Sequence, residues 1–156
     1  MFRFPDTINE KAARTVAGVV ALTALVAVLT GWHWLAVPLA YGFWARVIAG
    51  PTLSPLAQFA TRFAAPRLGA PVMVPGPPKR FAQALGATLT TAAVVAWALG
   101  ASTVVSVLLV MLVVAATLES AFAVCLGCIM FAGLMKVGVI SEEVCEKCNN
   151  ISLADA

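Results

Sequence analysis

Residues 15–30 of this chain carry no charged side chain, and that feature restricts the possible folds more than any other. Extended back through Ala12 and Ala13, the run reaches the length of about 20 residues that a helix needs to cross a bilayer. Inside lipid every backbone N–H and C=O must find a partner within the protein, which leaves helices and closed barrels as the spanning structures. Comparable apolar runs recur along the chain. Composition agrees, with 62% of residues hydrophobic and 11% charged, against about 25% charged in a soluble domain. The sequence therefore predicts an all-α integral membrane protein, a bundle of four transmembrane helices over residues 12–30, 34–49, 81–99 and 103–126. These form a transmembrane domain, residues 1–135, followed by a polar tail, residues 136–156.

The connectors support this division. Gly31 and His33 mark a tight turn flanked by Trp32 and Trp34, aromatics that favour the membrane–water interface. Helix 2 ends at Gly50-Pro51 and is short, so a tilted or partly re-entrant helix is the alternative to a full span. The long connector, residues 50–80, is rich in proline and cannot be one continuous helix. Within it Leu53, Leu56, Phe59, Ala60 and Phe63 recur at helical spacing opposite Gln58 and Arg62. That stripe predicts a short amphipathic helix, lying on the membrane surface or packing on the bundle. Gly100 to Ser102 turns the chain into helix 4, which is expected to leave the hydrocarbon near Cys125-Leu126-Gly127-Cys128.

Charge placement gives the orientation. Basic residues gather before helix 1 (Arg3, Lys11, Arg14) and in the long connector (Arg62, Arg67, Lys79, Arg80), and the two short turns have none. The termini and the connector are therefore expected on the cytoplasmic side, in a multi-pass arrangement. A cleaved signal peptide is the competing reading of the first run, and Asp6 and Glu10 in its would-be basic region argue against it.

Two Cys-x-x-Cys pairs, Cys125 with Cys128 and Cys145 with Cys148, are separated by the sixteen residues 129–144. That spacing suits a tetrahedral four-cysteine site for zinc or iron. Each pair alone suits a reversible disulfide, because Cys-x-x-Cys placement lowers the pKa of one thiol. Cys125 and Cys128 could equally pack as small apolar residues. If the chain turns back near Gly138 the pairs can meet, whereas one straight helix would hold them about 25 Å apart. Glu119 interrupts an apolar helix, where a carboxylate costs about 3 kcal/mol and is rarely left unpartnered. Arg46, at comparable depth on helix 2, is its expected partner. The alternative is that Arg46 snorkels to the interface. His33, the sole histidine, belongs to the opposite side from the cysteines. No phosphate loop, nucleophile–histidine–acid set or patterned basic surface is present, so hydrolase, nucleotide and nucleic-acid functions have no support.

Several stretches together carry a resemblance: Asp6-Thr7-Ile8-Asn9-Glu10 with Arg14, Leu53-Ser54-Pro55, and Pro77-Pro78-Lys79-Arg80-Phe81-Ala82-Gln83. Glu119, the two cysteine pairs and Gly138-Val139-Ile140 complete it. On these the chain resembles a family of small bacterial, largely actinobacterial, membrane proteins catalogued as domain of unknown function 4395. The resemblance implies a multi-span fold in a bacterial inner membrane without an assigned activity, and points to thioredoxin-like or rhodanese-like partners, hence to thiol or sulfur chemistry. Three readings follow. The leading one is a membrane thiol or metal-thiolate protein at the cytoplasmic face, handling sulfur or redox equivalents. The others are a non-catalytic subunit or scaffold with a structural four-cysteine site, and a small transporter of a sulfur species or cation through Arg46 and Glu119, which would need a homo-oligomer to form a pore.

Overall fold

The computed structural model describes residues 7–140. A short strand, β1 (Thr7–Asn9), leads into α1 (Glu10–Thr30). Asn9 caps that helix, its side chain accepting the Lys11 N–H at 3.1 Å, and Glu10 places negative charge where the helix dipole favours it. α1 ends at Gly31, whose φ of 74° lies in the left-handed region that glycine adopts without steric cost. One 3-10 turn (His33–Leu35) then delivers the chain into α2 (Ala36–Ala49).

The proline-rich connector is mostly short helix. α3 (Pro55–Phe59) is capped by Ser54 and runs through a π-helical turn (Ala60–Ala64) into α4 (Ala65–Arg67). Ala57, Ala60 and Ala65 face the core, and Phe59 and Phe63 stack on each other on the outside. β2 (Met73–Pro75) returns to pair antiparallel with β1, Ile8 opposite Val74. α5 (Gly76–Ala98) starts five residues before the sequence expectation of 81, with Pro77 and Pro78 in its first turn. Proline is at home there because the first N–H groups of a helix have no intrahelical partner. α6 (Ser102–Phe122) and a shorter helix, α7 (Leu126–Val137), complete the described chain.

Helices that follow one another are not always the ones that pack. α1 lies along α6, α2 lies along α5, and α5 joins the two pairs by also packing on α6 and α7. Small side chains allow the close approach, as is usual where lipid supplies no hydrophobic drive between helices. Ala24, Ala27, Ala36, Ala87 and Ala93 are fully enclosed, and Gly86 faces the Phe43 ring so closely that a Cβ there would overlap it.

Three helices, α1, α5 and α6, are long and apolar enough to cross a membrane. Only 22–33% of their most apolar stretches is buried inside the protein, and the outward surface carries Leu22, Leu29, Val95, Val107, Val114 and Phe122. An apolar exterior on this scale suits helices that face lipid or a partner surface. α2 has 14 residues, a rise of about 21 Å, short of the hydrocarbon thickness. It nevertheless covers much the same depth as α6. At one end His33 Nε2 lies 3.4 Å from Ser106 Oγ, and at the other Arg46 and Glu119 line one cavity.

Candidate functional site: a dithiol beside a charged cavity

α6 does not run on into the first cysteine. Ala123 takes a left-handed φ of 56°, and the Val124 N–H bonds back to the Leu118 carbonyl at 3.1 Å. Arg14 on α1 holds the end of α6, its Nε donating to the Ser120 carbonyl at 3.0 Å and its Nη2 to that of Ala121 at 3.4 Å. The break makes Cys125 the N-cap of α7 with extended backbone, and its Sγ accepts the Cys128 N–H at 3.4 Å. Helix 4 was expected to continue to 126, but the chain leaves it at Phe122 and restarts as a separate helix folded against α5. Gly127 fits directly over Ala82, and Phe131 packs on Phe81 with ring centroids 5.8 Å apart.

This placement sets the thiols apart. The Cys125 thiol is lowered to about 7, first because the Cys128 thiol donates to it, and further because the Lys79 cation and the Cys128 N–H favour the thiolate over opposing burial and the Glu119 charge. The Cys128 thiol is pushed up by the same donation and by burial. Cys125 is buried and Cys128 half-buried.

The charged neighbours come from three helices. Glu119 pairs with Lys79, Nζ to Oε1 at 2.5 Å, with both side chains largely enclosed. The expected Arg46–Glu119 pair is therefore not the one that forms. Arg46, 6% exposed, donates from Nε to Gln83 Oε1 at 2.7 Å and from Nη1 to Ser54 Oγ at 3.5 Å, over the Phe43 ring at 4.6 Å. Lys79 wins because α5 starts early: Lys79 and Gln83 then stand one turn apart on one face, Lys79 toward α6 and Gln83 toward α2. Arg46 does not snorkel to the surface either. No sequence pattern marks Lys79, Gln83 or Ser54 as a site residue, although each lies in a motif that carries the family resemblance.

Arg46, Gln83, Glu119 and Cys125 border one cavity of about 370 Å³, whose other walls are apolar and include Val16, Val20, Leu89 and Met111. Among the described residues no three His, Cys, Asp or Glu side chains gather as a metal site. The four-cysteine site expected from sequence also needs Cys145 and Cys148, which lie outside the described residues. His33 is at the far end, beside Ser106.

Residues 8–136 match the family described as Domain of unknown function (DUF4395). The chain belongs to this family. No curated protein and no solved structure matches it. Family membership takes in Lys79, Gln83, Glu119 and both cysteines of the Cys125–Cys128 pair within one matched segment, and it leaves the chemistry to be argued from their arrangement.

Proposed function

We propose that this DUF4395 protein is a membrane dithiol–disulfide exchange protein whose reacting pair is Cys125 and Cys128. The observation that carries the reading is Cys125 as the N-cap of α7 with its sulfur accepting the Cys128 N–H. A helix N-terminus favours negative charge, so this thiol ionises more readily than an ordinary one and is a better leaving group. In the oxidised form, a thiolate of a thioredoxin-like partner attacks the Sγ of Cys128, the less buried residue of the two. The Cys125–Cys128 bond breaks and Cys125 leaves as thiolate. The partner's second thiol, losing its proton, then attacks the mixed disulfide, and Cys128 departs as thiol. Two electrons pass to the protein and the partner gains the disulfide. Run backwards, the same steps reduce a partner.

Reactivity should follow pH accordingly. In a Cys145→Ser, Cys148→Ser background, alkylation of Cys125 by iodoacetamide is expected to reach half its plateau near pH 7, rising as the thiolate forms and flat above about pH 8. An ordinary thiol would still be climbing toward about 8.5. Titration with glutathione mixtures should show one two-electron transition, lost in Cys125→Ser and in Cys128→Ser. An alkylation profile centred near 8.5 together with no disulfide across the titration would remove the exchange reading and leave a structural role for the cysteines.

The same proposal places the site at the cytoplasmic face, with four spans and both termini inside. It is supported by the shared depth of α2 and α6, and by basic residues Lys11, Arg14, Lys79 and Arg80 gathering at one end, where Lys11 and Arg80 donate to backbone carbonyls of Leu68 and Val47. Alkaline phosphatase fused at residue 156 should be inactive and green fluorescent protein fluorescent. The opposite pattern would leave α2 as a re-entrant helix and turn the dithiol to an oxidising compartment.

A further inference from the structure

We propose that the cavity beside Cys125 is a binding site for a lipid-soluble quinone, which accepts the electrons of the Cys125–Cys128 dithiol. The inference rests on the dithiol reading above and adds its electron acceptor. Three features of the cavity bear on the occupant. Its volume of about 370 Å³ lies in the range of small-molecule sites. Its lining is apolar except for Arg46, Gln83, Glu119 and Cys125 and for Thr88, whose hydroxyl is turned back to the Ala84 carbonyl. That is the profile of a ligand with a polar reacting head and an apolar body.

The polar groups further narrow the choice. Among the described residues, Arg46 Nη2 has no hydrogen-bond acceptor, because Nε goes to Gln83 and Nη1 to Ser54. The Gln83 Nε2 amide has none either, since Gln83 is bonded through its oxygen. Neither donor is sealed away from open space, and both residues line the cavity, so a ligand that uses them must bring an oxygen acceptor. A neutral ring bearing carbonyl oxygens meets that requirement. A fatty acyl chain brings no acceptor to this depth. Cys125 borders the same space and is buried, so its sulfur is better placed for a small molecule within the bundle than for a protein surface. Cys128, half-buried, remains for the partner dithiol.

The electrons balance as follows. The Cys125 thiolate adds to a ring carbon, forming a C–S bond, and a carbonyl oxygen takes the displaced pair and a proton. Cys128, losing its proton, attacks Cys125 Sγ. The S–S bond forms, the C–S bond breaks, and its pair returns to the ring. The second oxygen takes the second proton, giving a hydroquinone. Two thiols become a disulfide, and the quinone gains two electrons and two protons.

The experiment uses the full chain, reduced and in lipid nanodiscs, with ubiquinone-1 as the probe. Wild type is expected to reduce one equivalent of quinone per dithiol, with a rate that saturates in quinone, and Cys125→Ser to lose the reaction. Gln83→Met, of similar shape but without the amide donors, should raise the half-saturating concentration about ten-fold, with its melting temperature as the check on folding. A wild-type protein that forms its disulfide in glutathione but reduces ubiquinone-1 without saturation would overturn the quinone site and spare the exchange reading. So would unchanged half-saturation in a folded Gln83→Met. Co-purified lipid filling the cavity, with no spectral change on adding quinone, would assign it to an acyl chain. Failure of the disulfide to form with either oxidant would overturn the exchange reading itself.

Discussion

Lys79→Met should lower stability by about 3–5 kcal/mol, measured by reversible unfolding in mixed micelles, because it leaves the Glu119 carboxylate enclosed without its partner. The two side chains are only 8% and 14% exposed and meet at 2.5 Å, so little solvent screening reduces the interaction. Glu119→Gln should cost less. The amide oxygen still accepts from Lys79, and the charge left behind sits on a long side chain that can move toward water. Combining Lys79→Met with Glu119→Gln should recover part of the loss, with a coupling energy of about 1–3 kcal/mol. Independent, additive effects of the two substitutions would show that the pair contributes nothing to the fold. Arg46→Lys makes a useful contrast, because a lysine cannot reach Gln83 and Ser54 together.

Gly127→Val is expected to have the second large effect, and a different one. A Cβ at residue 127 would stand 2.5 Å from both Cα and Cβ of Ala82, and a helix backbone cannot rotate out of the way as a side chain can. α7 must therefore lift from α5. Overpacking of this kind costs about 1–3 kcal/mol, and here it also displaces the helix whose N-terminus holds the Cys125 sulfur. Alkylation of Cys125 at pH 7 should slow as its thiolate loses support, even though the residue becomes more accessible. Ala82→Gly in the same chain should restore little of either, because the Cα and N of residue 82 still stand 2.5 and 3.1 Å from the added Cβ. A Gly127→Val protein with wild-type melting and alkylation would mean that α7 does not pack on α5 through this contact. Gly86→Ala, whose neighbour is the Phe43 ring, should be milder because a ring can turn.

What the sequence revealed of this architecture is the part encoded in long local patterns. Uncharged apolar runs announce α1, α5 and α6 as helices able to cross a membrane, and a carboxylate within an apolar helix announces itself at Glu119. Partner choice was not legible in the same way. Lys79 sits in the proline-rich connector, before the helix expected from residue 81, so its phase on α5 was invisible. Without that phase, Arg46 was the nearest cation by depth. The packing order was also hidden, because α1 on α6 and α2 on α5 is decided by small residues such as Gly86 and Ala87, which carry little periodic signal. Cys125 and Cys128 stood out by spacing, yet nothing local to them foretells the break after Phe122 that makes one of them a cap.

A contact that holds that break lies more than a hundred residues away in sequence. A continuing α6 would use the Ser120 and Ala121 carbonyls for the N–H groups four residues on, and with the helix broken Arg14 of α1 bonds them instead. The setting of the Cys125 thiol thus depends on a long-range contact between α1 and α6. α1, which carries the guanidinium, is synthesised before α6 and the cysteines. Under the exchange reading proposed above, a chain in which α1 and α6 have not yet met would lack this support for the break, and with it the cap that favours the Cys125 thiolate.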